Sequence, residues 1–201
     1  MPFRPELRGN SPLRRSHRSA QPRSAGEQWT ARELAQQPQL WPQIGRQVGA
    51  DGGLRAYLAP LLGNPALRIV LTGAGTSAYI GKCLAPALAT LGRQAEAIPT
   101  TDIVASPQGT LAPRAPTLMV HFARSGDSPE SVAALELAEG RIEQCHHLVV
   151  TCNAEGELSR RARGLRHAYS IVLPEACNDQ SFAMTSSFTG MLLAASLALG
   201  A

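Results

Sequence analysis

Aromatic residues are scarce in this sequence, with four Phe, three Tyr and two Trp among 201 residues. So few rings leave little on which nucleic-acid bases could stack. Cysteine is also sparse and unpatterned: Cys83, Cys145, Cys152 and Cys177 form no C-x-x-C pair and have no metal-ligand spacing with the five His. The simplest account is a reduced, cytoplasmic protein with no metal site. His146-His147 opens an apolar run and reads as polarity at a strand edge. No stretch reaches the roughly 20 apolar residues needed to span a bilayer, which excludes a membrane partner of that kind. Arg14-Arg15 resembles a twin-arginine signal, but "SHRSAQPRS" occupies the place where an apolar segment is required.

The net charge of +4 is misleading. Residues 1–25 hold six Arg and a single acid, Glu6, for +5, so the rest of the chain carries 4 − 5 = −1. A near-neutral body argues against a nucleic-acid-binding face. The basic segment, residues 1–28, is rich in Arg, Ser and Pro without periodicity and reads as a disordered leader. Residues 29–64 read as a helical segment. Thr30 and Glu33 have the spacing of a capping box, Pro38 and Pro42 divide this segment into short helical pieces, and "DGG" at 51–53 is a break.

From residue 65 the pattern alternates. Short aliphatic runs at 67–72, 95–100, 117–123, 147–152 and 169–173 read as strands, and helical spacing occupies 76–91, 128–139, 157–163 and 181 to the end. Apolar strands joined by helices predict an α/β domain: a five-stranded parallel sheet with helices on both faces. Ligands of such sheets lie beyond the carboxyl ends of the strands, which singles out 73–77, 124–128 and 174–181.

Three chemistries compete for these loops. "GAGTSA" fits a loose dinucleotide fingerprint, but Glu96 starts its strand and Asp102 lies past the end, so neither sits where the ribose-binding acid belongs. "TSAYIGKC" narrowly misses a P-loop: Thr76 replaces the first Gly, Cys83 the metal-holding hydroxyl, and Lys82, the sole lysine, falls inside the helical run. The third reading joins helix N-termini to hydroxyls. Unpaired N–H groups in a first helical turn favour an anion, and Thr76, Ser77, Ser125 and Ser128 add O–H donors, while Gly75 and Gly126 permit close approach. The bland alternative is that these residues are ordinary helix caps. Two such loops on one rim favour a phosphate seat that uses little positive charge and no cofactor.

"GAGTSAYIG", "ARSGDSPESV" and "NDQSFAMTSSFTGML" together resemble the sugar isomerase (SIS) domain. With "TARELAQQPQLW" and "TTDIVA" they resemble in particular the tagatose-6-phosphate ketose/aldose isomerases, also described as galactosamine-6-phosphate deaminase/isomerases, over about residues 30–201. The resemblance implies a flavodoxin-like SIS fold over 65–201 that binds a phosphorylated sugar or amino sugar. It places the phosphate on Gly75, Thr76, Ser77, Ser125, Gly126 and Ser128. Ala123 stands where the family's loop, roughly S-x-S-G-x-[ST], has its first hydroxyl. The resemblance also nominates Arg124, Gln180, Ser181 and Thr185 to face the sugar, with Arg124 equally able to face solvent.

The implied reaction opens the ring and moves a proton between C1 and C2, with loss of ammonia from an amino sugar. It needs a general base. In the two-domain isomerases the resemblance assigns that base to a second SIS domain, near an E-[LF]-x-H-G-P-like segment that these 201 residues lack. No catalytic residue is therefore assigned within the chain. The last segment, "MLLAASLALGA", stays apolar to its end, which leads to the expectation of a covering partner: a second SIS domain, in a missing half or another subunit, and a homo-oligomer for the intact enzyme. Two alternatives remain at this level. One is a complete phosphoheptose-type single-domain isomerase, although 76–91 holds no carboxylate and 181–201 no His. The other is a non-catalytic phosphosugar sensor.

Overall fold

The computed structural model describes residues 25–201; residues 1–24 of the expected leader lie outside them, while residues 25–28, read as the end of that leader, are helical and open the first helix. Five parallel strands, β1 (Arg68–Gly73), β2 (Gln94–Ala97), β3 (Thr117–Ala123), β4 (Cys145–Thr151) and β5 (Ala168–Val172), form one sheet in the order β2-β1-β3-β4-β5. The expected five-stranded sheet is present, with strand boundaries within a few residues of those expected. β2 is shorter than expected because Pro99 ends it, and Thr100 opens a short helix.

Eight α-helices accompany the sheet among the described residues. Four cover one face: α1 (Ala25–Ala50), α2 (Gly52–Leu62), α3 (Ala78–Thr90) and α8 (Ser186–Leu199). On the other face lie α4 (Thr100–Ala105), the one-turn α5 (Pro107–Thr110), α6 (Pro129–Arg141) and α7 (Glu157–Arg163). Strand alternation sorts the side chains. Leu118, Val120 and Phe122 face the first layer, while Met119 lies in the core under α4 and α6.

The N-terminal segment departs from the sequence expectation. α1 is a single 26-residue helix that contains both Pro38 and Pro42 and starts before Thr30. Its buried positions, Glu33, Gln37, Leu40, Ile44 and Val48, lie along one helical stripe, and both prolines lie on the exposed side. Two interior prolines cost about 6 kcal/mol together. Burying Leu40, Ile44 and Val48 returns about 1.5–3 kcal/mol each, a gain of the same size as the local penalty. The capping box does not form either: the Thr30 hydroxyl donates to Gly26 O at 3.0 Å, and Glu33 is engaged elsewhere.

α8 also departs from expectation. It begins at Ser186, five residues later than the helical spacing implied, and most of its apolar surface is covered within the chain. Met191, Ala194, Ala195 and Leu199 are buried against the first layer. A Cβ on Gly190 would sit 3.2 Å from both Ile44 Cδ1 and Leu173 Cδ1. The absence of a side chain there lets α1 lie directly over α8, so the helix's apolarity alone requires no outside partner.

Candidate functional site

β1 and β3 are neighbours, yet the chain leaves β1 toward β2 on one side and reaches β3 and β4 on the other. This reversal is the switch point of a 2-1-3-4-5 sheet, where loops diverge and open a crevice. The loops 73–77 and 124–128 leave from the two strands that flank it.

At the end of β1, Gly73 is wedged. An added Cβ would lie 2.8 Å from Ser77 C and Cβ and 2.9 Å from Phe122 O. Gly75 then takes φ +52°, a left-handed conformation, as the chain winds through one 3-10 turn, Gly75–Ser77, into α3. Thr76 is exposed and its hydroxyl has no partner among the described residues. Ser77 is buried, and its Oγ makes only a weak contact to Met184 Sδ at 3.7 Å. Ser77 precedes α3 without a side-chain capping bond.

The second loop is built the same way. Gly126 has φ +76°, and Ser128 occupies the N-cap of α6 with no capping bond from its side chain. The Ser125 hydroxyl accepts only a long bond from Asp127 N at 3.4 Å. The ordinary-cap alternative therefore fails for Ser77 and Ser128: both stand at helix starts and neither spends its hydroxyl on a cap. What remains is two helix starts at the switch point with uncommitted O–H groups, an arrangement suited to a small anion.

The loop after β4 braces this second loop. Asn153 Nδ2 donates to Ser125 O at 2.9 Å, Leu158 N donates to Gly126 O at 2.9 Å, and Asp127 Oδ1 accepts Glu157 N at 2.9 Å. Any Cβ on Gly156 would collide with the Ser125 carbonyl oxygen. Asn153 and Gly156 carry no sequence signal, since nothing in β4's loop announces that it supports another loop.

The third segment, 174–185, reaches the same rim. Arg124 is half-buried, and its Nη1 donates to Ser181 O at 3.1 Å, tying the β3 loop to the β5 loop. Two buried carboxylates shape this segment. Glu33 Oε1 accepts Gln180 N at 2.6 Å and Ser181 N at 3.0 Å, and its Oε2 accepts the Ser181 hydroxyl. Asp179 accepts Thr185 N, Ser186 N and Ser187 N at 2.8–3.1 Å, together with the Thr185 and Ser187 hydroxyls. Asp179 is thus the real N-terminal cap of α8, supplied from several residues upstream.

These bonds sort the sugar-facing candidates. Ser181 is buried with its hydroxyl directed at Glu33, and the Thr185 hydroxyl is directed at Asp179. Both build the loop. Gln180 is exposed, and its Nε2 makes one local bond to Asn178 O at 3.1 Å, so its side chain is the freest of the three. Phe182, at the loop tip, is fully exposed, and a cavity of about 480 Å³ separates it from the start of α1 at Gly26, Thr30 and Leu34.

His146 and His147 do not mark a strand edge. β4 is flanked by β3 and β5, and His147 is fully buried with its ring 2.9 Å from His121 Nε2. All four cysteines are free. Burial pushes the Cys152 thiol well up, and the Cys177 thiol to about 11, which keeps both protonated and inert beneath the rim. Among the described residues no helix is long and apolar enough to cross a membrane.

A doubly wound domain with hydroxyl-bearing loops at its switch point is the frame of the SIS domain. Residues 64–201 match the model of that family, and the chain belongs to it. Its relatives narrow the comparison. An AgaS protein of Streptomyces coelicolor is 56% identical over 173 residues, which cover 85% of this chain and 45% of that protein. The D-galactosamine-6-phosphate deaminase AgaS of Shewanella sp. (strain ANA-3) is 49% identical, covering 84% of this chain and 45% of its own. The crystal structure of tagatose-6-phosphate ketose/aldose isomerase from Escherichia coli superposes with a TM-score of 0.83 at 42% identity, over 88% of this chain and 49% of that one. The chain spans about half the length of the relatives it matches.

Proposed function

We propose that this chain is the phosphosugar-binding SIS domain of an aldose-ketose isomerase/deaminase acting on a hexosamine or hexose 6-phosphate of the galactosamine or tagatose type. The observation that carries the reading is the pair of uncapped helix starts at the switch point. Thr76, Ser77, Ser125 and Ser128 keep their hydroxyls out of strong intramolecular bonds, while Gly75 and Gly126 adopt left-handed turns at the two loops. These donors hold the phosphate. The sugar extends toward Arg124 and Gln180.

The base that moves the proton between C1 and C2 comes from outside these 201 residues, from a second SIS domain. Nearby acids in the chain are already committed: Glu33 and Asp179 accept several bonds each, and Asp127 braces α7. Glu130 sits in the first turn of α6, where a bound phosphate repels it and bars it from approaching the sugar as a base. Support for a second domain comes from relatives about twice this length. The test is thermal melting of the purified chain with galactosamine 6-phosphate and with galactosamine, alongside an assay for ammonia and ketose. Stabilisation by the phosphosugar alone, without turnover, is expected. Equal stabilisation by both sugars rules out the phosphate seat, and substantial turnover rules out an external base.

A further inference from the structure

Away from the crevice, on the sheet face covered by α6, three side chains of different chemistry converge. Cys145 opens β4, and His147, two residues on, points to the same face by strand alternation. Glu139 reaches them from the last turns of α6. His147 Nε2 lies 2.7 Å from Glu139 Oε1 and 3.3 Å from Cys145 Sγ, and the three ligand atoms all fall within 4.8 Å of one another. The ring's other nitrogen, Nδ1, is 2.9 Å from Nε2 of the fully buried His121 on β3.

A hydrogen-bonded histidine alone explains part of this arrangement. Glu139 and His121 would satisfy the two ring nitrogens, one each. A thiol at 3.3 Å from the same Nε2 that meets the carboxylate is surplus to that pairing, because one ring nitrogen offers one proton or one lone pair. A cation shared by Nε2, Sγ and Oε1 uses all three.

We propose that Glu139, Cys145 and His147 form a binding site for a borderline divalent cation of the Zn²⁺ type, with His121 orienting His147 from outside the coordination sphere. One sulfur, one imidazole nitrogen and one carboxylate oxygen are a zinc ligand set, leaving a fourth position for water. On a tetrahedral Zn²⁺ a nitrogen and an oxygen ligand stand about 3.3 Å apart, and a nitrogen and a sulfur ligand about 3.6 Å. The sulfur–nitrogen distance of 3.3 Å is within about 0.3 Å of this. The carboxylate must withdraw by roughly half an ångström, and it is free to do so because its side chain is 35% exposed while that of His147 is buried. That exposure is also the entry path. The His121–His147 contact holds the other ring nitrogen of the ligating histidine, the position at which outer-sphere partners fix a ligating ring. Burial favours the neutral form of both His121 and His147, which leaves His147 able to ligate, though it also pushes the Cys145 thiol up to about 12, so the cation must displace that proton.

His147 stands four residues before the end of β4, about 13 Å along the strand from the rim. A cation there pins the C-terminal turn of α6 to the sheet, and the N-terminal turn of the same helix carries Ser128.

The test strips the full chain with a chelator and titrates it with Co²⁺, monitored by the near-ultraviolet thiolate-to-cobalt charge-transfer band, then with competing Zn²⁺. One equivalent bound, with the band present, is expected in wild type and in Cys83→Ser, which removes the exposed thiol. The band is lost in Cys145→Ser. Glu139→Gln, at an exposed position that does not endanger folding, retains the band but weakens binding about tenfold or more, and His121→Asn weakens it about 10–100-fold. Circular dichroism confirms that each variant is folded. A hydrogen-bonded triad only, seen as no stoichiometric uptake by wild type or as an unchanged band in folded Cys145→Ser, overturns the proposal.

Discussion

Glu33 of the N-terminal helix accepts the backbone N–H of Ser181 at 3.0 Å across 148 residues of sequence, and the Ser181 carbonyl in turn accepts Arg124 Nη1 at 3.1 Å. The helix that precedes the SIS-matching region thus fixes the shape of a loop at the candidate site. Both oxygens of this buried carboxylate are used, and no cation pairs with it through a hydrogen bond or salt bridge among the described residues.

Glu33→Ala leaves the backbone N–H groups of Gln180 and Ser181 without their acceptor, while the Ser181 hydroxyl retains Ala183 O at 2.9 Å. Each buried unsatisfied group costs about 1–3 kcal/mol, so a loss of about 2 kcal/mol or more is expected by urea denaturation. Glu33→Gln keeps one carbonyl oxygen toward the N–H pair and costs less, about 1–2 kcal/mol. Both variants weaken phosphosugar binding if the loop faces the sugar. Equal stability of wild type and Glu33→Ala would contradict the assigned role.

Asp179 gathers three consecutive N–H groups at the start of α8. Asp179→Ala removes a cap and leaves Ser186 N and Ser187 N buried and unpaired, for an expected loss of about 2–4 kcal/mol. The check is the denaturation midpoint at an unchanged slope, which reports stability rather than altered compactness.

Ser128→Ala and Thr76→Val separate a ligand hydroxyl from a structural one. Neither hydroxyl makes a capping bond, so both variants should melt within about 0.5 kcal/mol of wild type. A hydrogen bond to a charged phosphate is worth about 1.5–3 kcal/mol, so phosphosugar affinity should fall roughly 10- to 100-fold in each. Reduced stability with unchanged affinity would return both residues to ordinary structural duty.

The two glycines of the first loop differ in why they are glycine. Gly73→Ala meets backbone atoms at 2.8–2.9 Å that cannot step aside, and should cost about 2–3 kcal/mol. Gly75→Ala enters open space and bears only the left-handed φ, at about 1–2 kcal/mol. Thermal denaturation should rank them in that order.

The sheet is legible in the sequence because a parallel strand buried on both faces, such as "TLMVHFA", is nearly continuous in apolar residues. The rim is legible from strand order and from Gly and Ser at strand ends. The features that stay hidden depend on contacts across the fold. Pro38 and Pro42 read as helix breaks, and only the buried stripe from Glu33 to Val48 shows why the helix runs through them. Glu33 reads as a local capping partner of Thr30, whereas its partners lie in the loop after β5. Motif position alone nominates Ser181 and Thr185, and it does not distinguish a hydroxyl facing a ligand from one facing a buried carboxylate. The convergence of Glu139, Cys145 and His147 needs α6 folded back onto β4 before it exists.

Hydroxyls and amides of the two switch-point loops are proposed to hold a sugar's phosphate, and isothermal titration of the chain with galactosamine 6-phosphate and with galactosamine is the decisive measurement. One phosphosugar bound per chain is expected, with no detectable binding of the free sugar and a marked loss of affinity in folded Ser128→Ala. Equal affinity for the two sugars, or undiminished phosphosugar binding in that variant, would refute the phosphate seat.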